Sequence, residues 1–118
     1  MDCIFCRIIN KEVAGQFVYE DDTVVAIIPK EQVSKGHILV MPKLHYRDIF
    51  DIDEVVLSSI LVVSKKLSSD IVDSTDFTAI NILNASGVDA QQSVAHLHFH
   101  IVPRKPGDGL DMWIKQKL

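Results

Sequence analysis

The stretch Gln92-Ser93-Val94-Ala95-His96-Leu97-His98-Phe99-His100-Ile101-Val102-Pro103 decides how this chain reads. Three of its five histidines stand here, two residues apart. In an extended strand alternate side chains share a face. His96, His98 and His100 are therefore expected on one side, with Leu97, Phe99 and Ile101 buried on the other. The strand is expected over 94–102, ended by Pro103, which cannot donate to a ladder. Half-buried imidazoles without partners are costly, which weighs against an accidental row of three on a surface strand. One remaining reading is a metal site, because His-x-His on a strand is a ligand arrangement. The other is catalysis. Neutral imidazole is a good nucleophile toward phosphorus, and its ordinary pKa of about 6.5 leaves it mostly neutral at pH 7. Asn84, Gln91, Gln92 and Ser93 lie in the loop feeding the strand and offer neutral donors to a developing negative charge.

Outward from this stretch the pattern is mixed. Phe17-Val18-Tyr19 and Thr23–Ile28 flank Glu20-Asp21-Asp22, which reads as a hairpin with a polar turn. Pro29 ends its second strand or marks an edge. Gly36 precedes an apolar strand over His37–Met41, stopped by Pro42. Apolar residues at 52, 55, 56, 60, 63, 67 and 71 share one helical face, so a helix is expected from Ile52 to about Asp70. Asp51 is its expected cap, with Glu54 three residues on. Phe77–Leu83 reads as a strand, Asn84–Ser93 as a loop, and Cys3–Asn10 as a short helix or turn. This order gives an α+β domain with a mostly antiparallel sheet and one long helix.

Length and composition bound the rest. The chain has 118 residues, 47% hydrophobic and 24% charged, with a net charge of −4. It is expected to form a single domain over residues 1–118 with its own core. The acidic balance argues against nonspecific nucleic-acid binding. No apolar run reaches the roughly 20 residues of a membrane helix, and the start of the chain lacks a basic and apolar leader, so a cytoplasmic location is expected. In a reducing compartment, Cys3-x-x-Cys6 reads as a metal-ligand or redox pair rather than a disulfide. The plain alternative is two buried apolar fillers.

The triad stretch resembles the signature of the histidine triad nucleotide-binding proteins, His-x-His-x-His followed by two apolar residues. Cys3-Ile4-Phe5-Cys6-Arg7-Ile8-Ile9 is similar to that family's opening. Glu20–Val24, Lys35–Lys43 and His45 are similar to its middle, so the resemblance covers nearly the whole chain in order. The short form with the Gln-Ser loop looks closest to the Hint-like branch. The resemblance implies that two protomers join into a ten-stranded sheet as a homodimer. It implies attack on the α-phosphorus of a purine nucleotide conjugate, a nucleoside phosphoramidate or an aminoacyl adenylate, through a nucleotidyl-histidine that water then cleaves. His98 is then the nucleophile, with its other ring nitrogen held by a backbone carbonyl. His100 contacts the phosphate oxygens, Ser93 assists at the leaving group, and His37 supports the triad.

Cys3, Cys6, His45 and His96 match positions that hold a structural zinc in many bacterial members. Such a shell is closed and leaves His98 and His100 free. Ile4, Phe5, Ile8, Ile27 and Ile28 match positions that sandwich the base, although each also reads as plain core. Asn84 and Gln92 join them as loop contacts to the nucleotide. Trp113 either caps the leaving group of a neighbouring protomer or anchors a tail.

Three positions depart from the family's pattern. Pro29 stands where a ribose-binding Asp is usual, with Glu31 two residues on as a candidate substitute. Ala85 stands where an Asn is usual, with Asn84 one residue earlier. Gln91 stands at a place often held by Gly. A dinucleoside polyphosphate hydrolase and a nucleotide-binding or interaction module with little turnover stay open beside the phosphoramidase reading. A purely zinc-stabilised structural protein would give no reason for His98 and His100 to share a face.

Overall fold

The computed structural model describes residues 2–115. Five strands form one antiparallel sheet: β1 (Gln16–Glu20), β2 (Val24–Ile28), β3 (Ile38–Pro42), β4 (Ala79–Leu83) and β5 (Phe99–Arg104). Their spatial order is β1-β2-β3-β5-β4. Two helices, α1 (Ile4–Ile9) and α2 (Glu54–Ser74), lie on opposite faces. The α+β class and the antiparallel sheet are as the sequence reads.

Alternation sorts the two faces. In β2, Val24 and Ala26 join the α2 side while Val25 and Ile27 join the α1 side. In β3, Ile38 and Val40 go one way, Leu39 and Met41 the other. The α2 face is closed by Ile60 and Val63, with Val56, Leu57, Leu67 and Ile71 packed around them. That row is the helical periodicity seen in the sequence except at Val55, which is exposed while Leu57 packs inward instead. The α1 face has less to cover it, because α1 is only six residues long and contributes Phe5 and Ile9.

Several boundaries differ from the sequence expectation. The long helix is capped by Asp53, whose carboxylate accepts from Val55 N and Val56 N at 3.1 Å each. Asp51 instead accepts from Arg47 N at 2.7 Å and ties the preceding turn. The helix also runs one turn further, through Ile71, Val72 and Asp73 to Ser74, with Ile71 packed on the core. Strand β5 starts at Phe99 rather than Val94 and passes through Pro103 to Arg104. Its pairing with β3 ends at Ile38↔Ile101, so Pro103 lies where that flank of the ladder has stopped and its missing N–H leaves no gap there. Gly36 enters β3 with φ of +90°, a conformation that favours glycine.

Candidate active site

His96 to His98 precede β5 in an extended segment held by bonds outside the sheet ladder. Leu97 N donates to Tyr46 O at 2.7 Å. The His98 carbonyl accepts from Asn84 Nδ2 at 3.0 Å. His96 and His98 are nearly inaccessible, at 0% and 4% exposure, while Leu97, Phe99 and Ile101 fill the α2 side. The three imidazoles then divide between two neighbouring sites.

His98 and His100 face a cavity of about 700 Å³ on the α1 side of the sheet. Ile4, Phe5 and Ile8 of α1 form one wall, and Ile27, Ile28 and Leu39 of the sheet form another. Ser93, His37, His98 and His100 supply one polar end. The carbonyl-terminated end of β2 continues into a rim of Pro29, Lys30, Glu31 and Gln32. Gly15 lets the chain pass close to α1: a Cβ there would stand 2.6 Å from Ile8 Cγ2. Every apolar residue expected around a base therefore borders one cavity, and the same cavity ends on the histidines.

Hydrogen bonds fix which imidazole nitrogen carries a proton. His98 Nδ1 lies 2.8 Å from His96 O, an acceptor, so Nδ1 must donate and Nε2 keeps its lone pair. Val33 N donates to His37 Nδ1 at 3.1 Å, so in the neutral ring the His37 proton sits on Nε2. That Nε2 is 3.0 Å from His100 Nδ1, which accepts, leaving the His100 proton on Nε2. The pair thus presents one bare nitrogen, on His98, beside one N–H, on His100. Their ring centroids are 5.1 Å apart. Burial lowers the pKa of His37 and of His98. Burial, with His98 and His37 close by, lowers His100 to about 4. All three rings are neutral at pH 7, as nucleophilic imidazole requires.

His96 turns to a second cluster. Cys3, Cys6, His45 and His96 bring their donor atoms within 4.8 Å of one another. His96 Nδ1 is 3.5 Å from both sulfurs, and His45 Nδ1 is 3.3 Å from Cys6 Sγ. Bonds of about 2.0–2.3 Å around a tetrahedral ion give donor–donor edges of about 3.5 Å, so the four fit such an ion. The His96 Nε2 proton points to Pro42 O at 2.9 Å, which aims Nδ1 at the cluster centre. Burial and the adjacent Cys3 push the Cys6 thiol up to about 11, so a thiolate here needs a cation beside it.

Phe5 lies between the two sites. Its ring meets His98 edge-on at 5.1 Å and His96 at 5.8 Å between centroids. The sequence places Phe5 beside the base or in plain core, and carries no sign of this contact with both histidines. Sequence reasoning also missed the backbone partners at Val33, Pro42 and Tyr46, which no side-chain pattern could announce.

Asn84 and Gln92 are not among the cavity-lining residues. Gln92 Nε2 donates to Arg47 O and Val94 O at 2.6 and 2.9 Å, and its Oε1 accepts from Gly87 N at 2.8 Å. Both amides hold the backbone around the histidine segment. Gln91 has φ of +68°, the left-handed conformation that a glycine would adopt freely. Ser93 is exposed and also borders a smaller cleft of about 400 Å³ with Asp2, Arg7 and His45. Trp113 is 71% exposed.

An antiparallel sheet carrying an apolar cavity that ends on neutral, oriented histidines defines a histidine-centred ligand-binding domain. The HIT domain family model matches residues 10–107. A HIT-like protein of Borreliella burgdorferi is 43% identical over 110 residues, spanning 92% of this chain and 79% of that protein. The adenylylsulfatase HINT3 of Arabidopsis thaliana is 36% identical over 117 residues, spanning 99% of this chain and 58% of that protein. The crystal structure of a zinc-bound histidine triad family protein from Mycobacterium smegmatis is 29% identical, with a TM-score of 0.90, covering 99% of this chain and 85% of that one. The chain belongs to the HIT family.

Proposed function

We propose that this protein is a hydrolase of nucleoside 5′-phosphoramidates and related conjugates such as aminoacyl adenylates, acting at the α-phosphorus through a nucleotidyl-His98. The observation that carries the reading is the pair of tautomers at the cavity's polar end. The lone pair on His98 Nε2 attacks phosphorus, and the bond to the leaving group breaks with its electron pair. Charge developing on the imidazolium is stabilised by the Nδ1–H bond to the His96 carbonyl. His100 Nε2–H donates to a phosphate oxygen as negative charge builds, and His37 keeps that proton on the outer nitrogen. The Ser93 hydroxyl passes its proton to the departing group and regains one from solvent water. Water then attacks the phosphorus and releases a proton to solvent, the P–Nε2 bond breaks with its electron pair returning to His98, and the nucleoside monophosphate departs.

The apolar walls suit a purine, and one end of the cavity suits its phosphate. Similarity to a relative named for adenylylsulfate cleavage supports scission at an adenylyl phosphorus. Cys3, Cys6, His45 and His96 would hold one zinc ion per protomer, where it would tie α1 to the histidine segment and perform no chemistry. The closed four-donor set and the zinc-bound structural relative support zinc. A homodimer through β4 would extend the sheet to ten strands. In its favour, β4 is an edge strand with Ile82 exposed, and Val55 and Val62 of α2 are exposed as well. Light scattering is then expected to give twice the chain's 13.2 kDa.

Release of AMP from adenosine 5′-phosphoramidate, wild type beside His98→Ala, tests the reading. Turnover by the wild type and none by the variant is the expected result. A folded, zinc-loaded wild type that binds AMP without turnover would make the protein a binding module.

A further inference from the structure

Ile4 and Ser93 border both the large cavity and the smaller cleft of about 400 Å³, so the two spaces adjoin at the polar end. Displacement at phosphorus runs in line, with the entering and departing groups on opposite sides. When the base lies between α1 and the sheet and His98 is the entering group, a group departing past Ser93 has this cleft ahead of it.

The cleft offers few polar side chains. Cys3 and His45 belong to the candidate metal set, which leaves Asp2 and Arg7 beside Ser93. The chain has three arginines. Arg47 donates to Asp48, and Arg104 donates to Asp108, Asn81 and the Leu110 carbonyl. Among the described residues the Arg7 guanidinium makes no hydrogen bond, and its ion-pair contact is to Asp2 at 3.8 Å, with that carboxylate side chain 90% exposed. A pair so long and so exposed holds little. Arg7 therefore keeps an open fork of N–H donors at the cleft, the match of a planar carboxylate. Ile4, Val94 and Ala95 give the rest of the cleft an apolar lining that suits a short aliphatic side chain.

We propose that this cleft seats the departing amine and that Arg7 binds a carboxylate on it, so that the preferred substrates are nucleoside 5′-phosphoramidates of α-amino acids joined through nitrogen. In such a conjugate the nitrogen is held in the P–N bond and the carboxylate is free. In an aminoacyl adenylate the carboxylate is held in the acyl bond and an ammonium is free, which a guanidinium repels. The proposal rests on the phosphoramidase reading above and names its leaving-group class.

Hydrolysis of the adenosine 5′-phosphoramidates of alanine and of alaninamide tests it, read as the ratio of their kcat/KM values in metal-loaded wild type, Arg7→Gln and Arg7→Lys. The two amines differ in basicity, so the informative quantity is the change in that ratio on substitution, in which leaving-group chemistry cancels. The ratio is expected to fall about tenfold in Arg7→Gln, the scale of one hydrogen bond between charged groups. It should fall less in Arg7→Lys, which keeps the charge without the fork. Asp2→Asn, which removes a competing anion, is expected to hold or raise it. Raised ionic strength should lower the wild-type ratio, because an exposed pair is screened. Circular dichroism and metal content check that each variant is folded and loaded. An unchanged ratio in Arg7→Gln, an equal fall in Asp2→Asn, or a wild-type ratio indifferent to salt overturns the Arg7 assignment alone. A folded, metal-loaded wild type that turns over neither conjugate overturns the phosphoramidase reading and the proposal with it.

Discussion

The two faces of the sheet are built on different principles. On the α2 side, a 21-residue helix lays a row of aliphatic side chains over β2, β3 and β5, and burial of apolar area holds it. On the α1 side, a six-residue helix is far below the length that is stable alone, and it covers little. That side packs Phe5 and Ile9 on Val25, Ile27, Leu39 and Met41, gathers Cys3, Cys6, His45 and His96 as a candidate metal-ligand set, and keeps an open cavity. One face is closed by apolar packing. The other has a smaller apolar cluster, gathers four candidate metal ligands at one end, and leaves a cavity open beside the histidines.

That division can be broken experimentally. The largest expected effect is on turnover: His98→Ala should lose at least about 10³-fold, since the covalent step has no other nucleophile. Its stability should fall by only about 1–2 kcal/mol, for one lost hydrogen bond and a polar void. A core-sized loss in denaturant unfolding would mean that His98 is structural.

Next in size, Ile60→Ala on the α2 face should cost about 2–5 kcal/mol while each folded molecule keeps normal turnover. Cys6→Ser, or chelation, should also destabilise, but with a raised KM, because Ile4, Phe5 and Ile8 ride on α1. Identical kinetic signatures for the two lesions would erase the distinction between the faces.

A smaller effect concerns acid. The folded values of His37 and His100 lie below the ordinary imidazole value of about 6.5. Above that pH both folded and unfolded chains are neutral there, and nothing is lost. As pH falls, the unfolded chain takes up protons that the folded one refuses, so stability declines from pH 6.5 toward about 4, where His100 itself protonates. Denaturant midpoints should fall less steeply over this window in His100→Asn than in wild type. Parallel slopes would contradict the buried neutral pair. Smallest of all, Gln91→Gly should stabilise by about 0.5–1 kcal/mol by removing a left-handed side chain, with no effect on Ile60→Ala energetics.

Much of this was legible from residue pattern. The aliphatic alternation of β2 and β3 and the helical row on α2 read directly, because burial imposes periods of 2 and 3.6 on the sequence. The gathering of Cys3, Cys6, His45 and His96 followed from resemblance, and the structure brings those four together. The extent of β5 was not legible. His96 to His98 keep the alternation of a strand, yet their backbone bonds go to Tyr46, Asn84 and His98's own ring. Period two reports facing, and it is silent on where a ladder begins. The cap of α2 was ambiguous for a related reason: Asp51 and Asp53 are equally suited by type, and only the Arg47 amide decides between them. Strand order is a matter of long-range pairing, which no local pattern encodes.

The central claim is that His98 Nε2 becomes covalently bonded to the nucleotide's phosphorus. Intact-protein mass spectrometry on samples acid- or denaturant-quenched during turnover of adenosine 5′-phosphoramidate tests it most directly, with peptide mapping of the adduct. The account predicts one adenylyl group per active site, located at His98 and absent from His98→Ala. Sustained turnover with no adduct, or an adduct at any other residue, would contradict it.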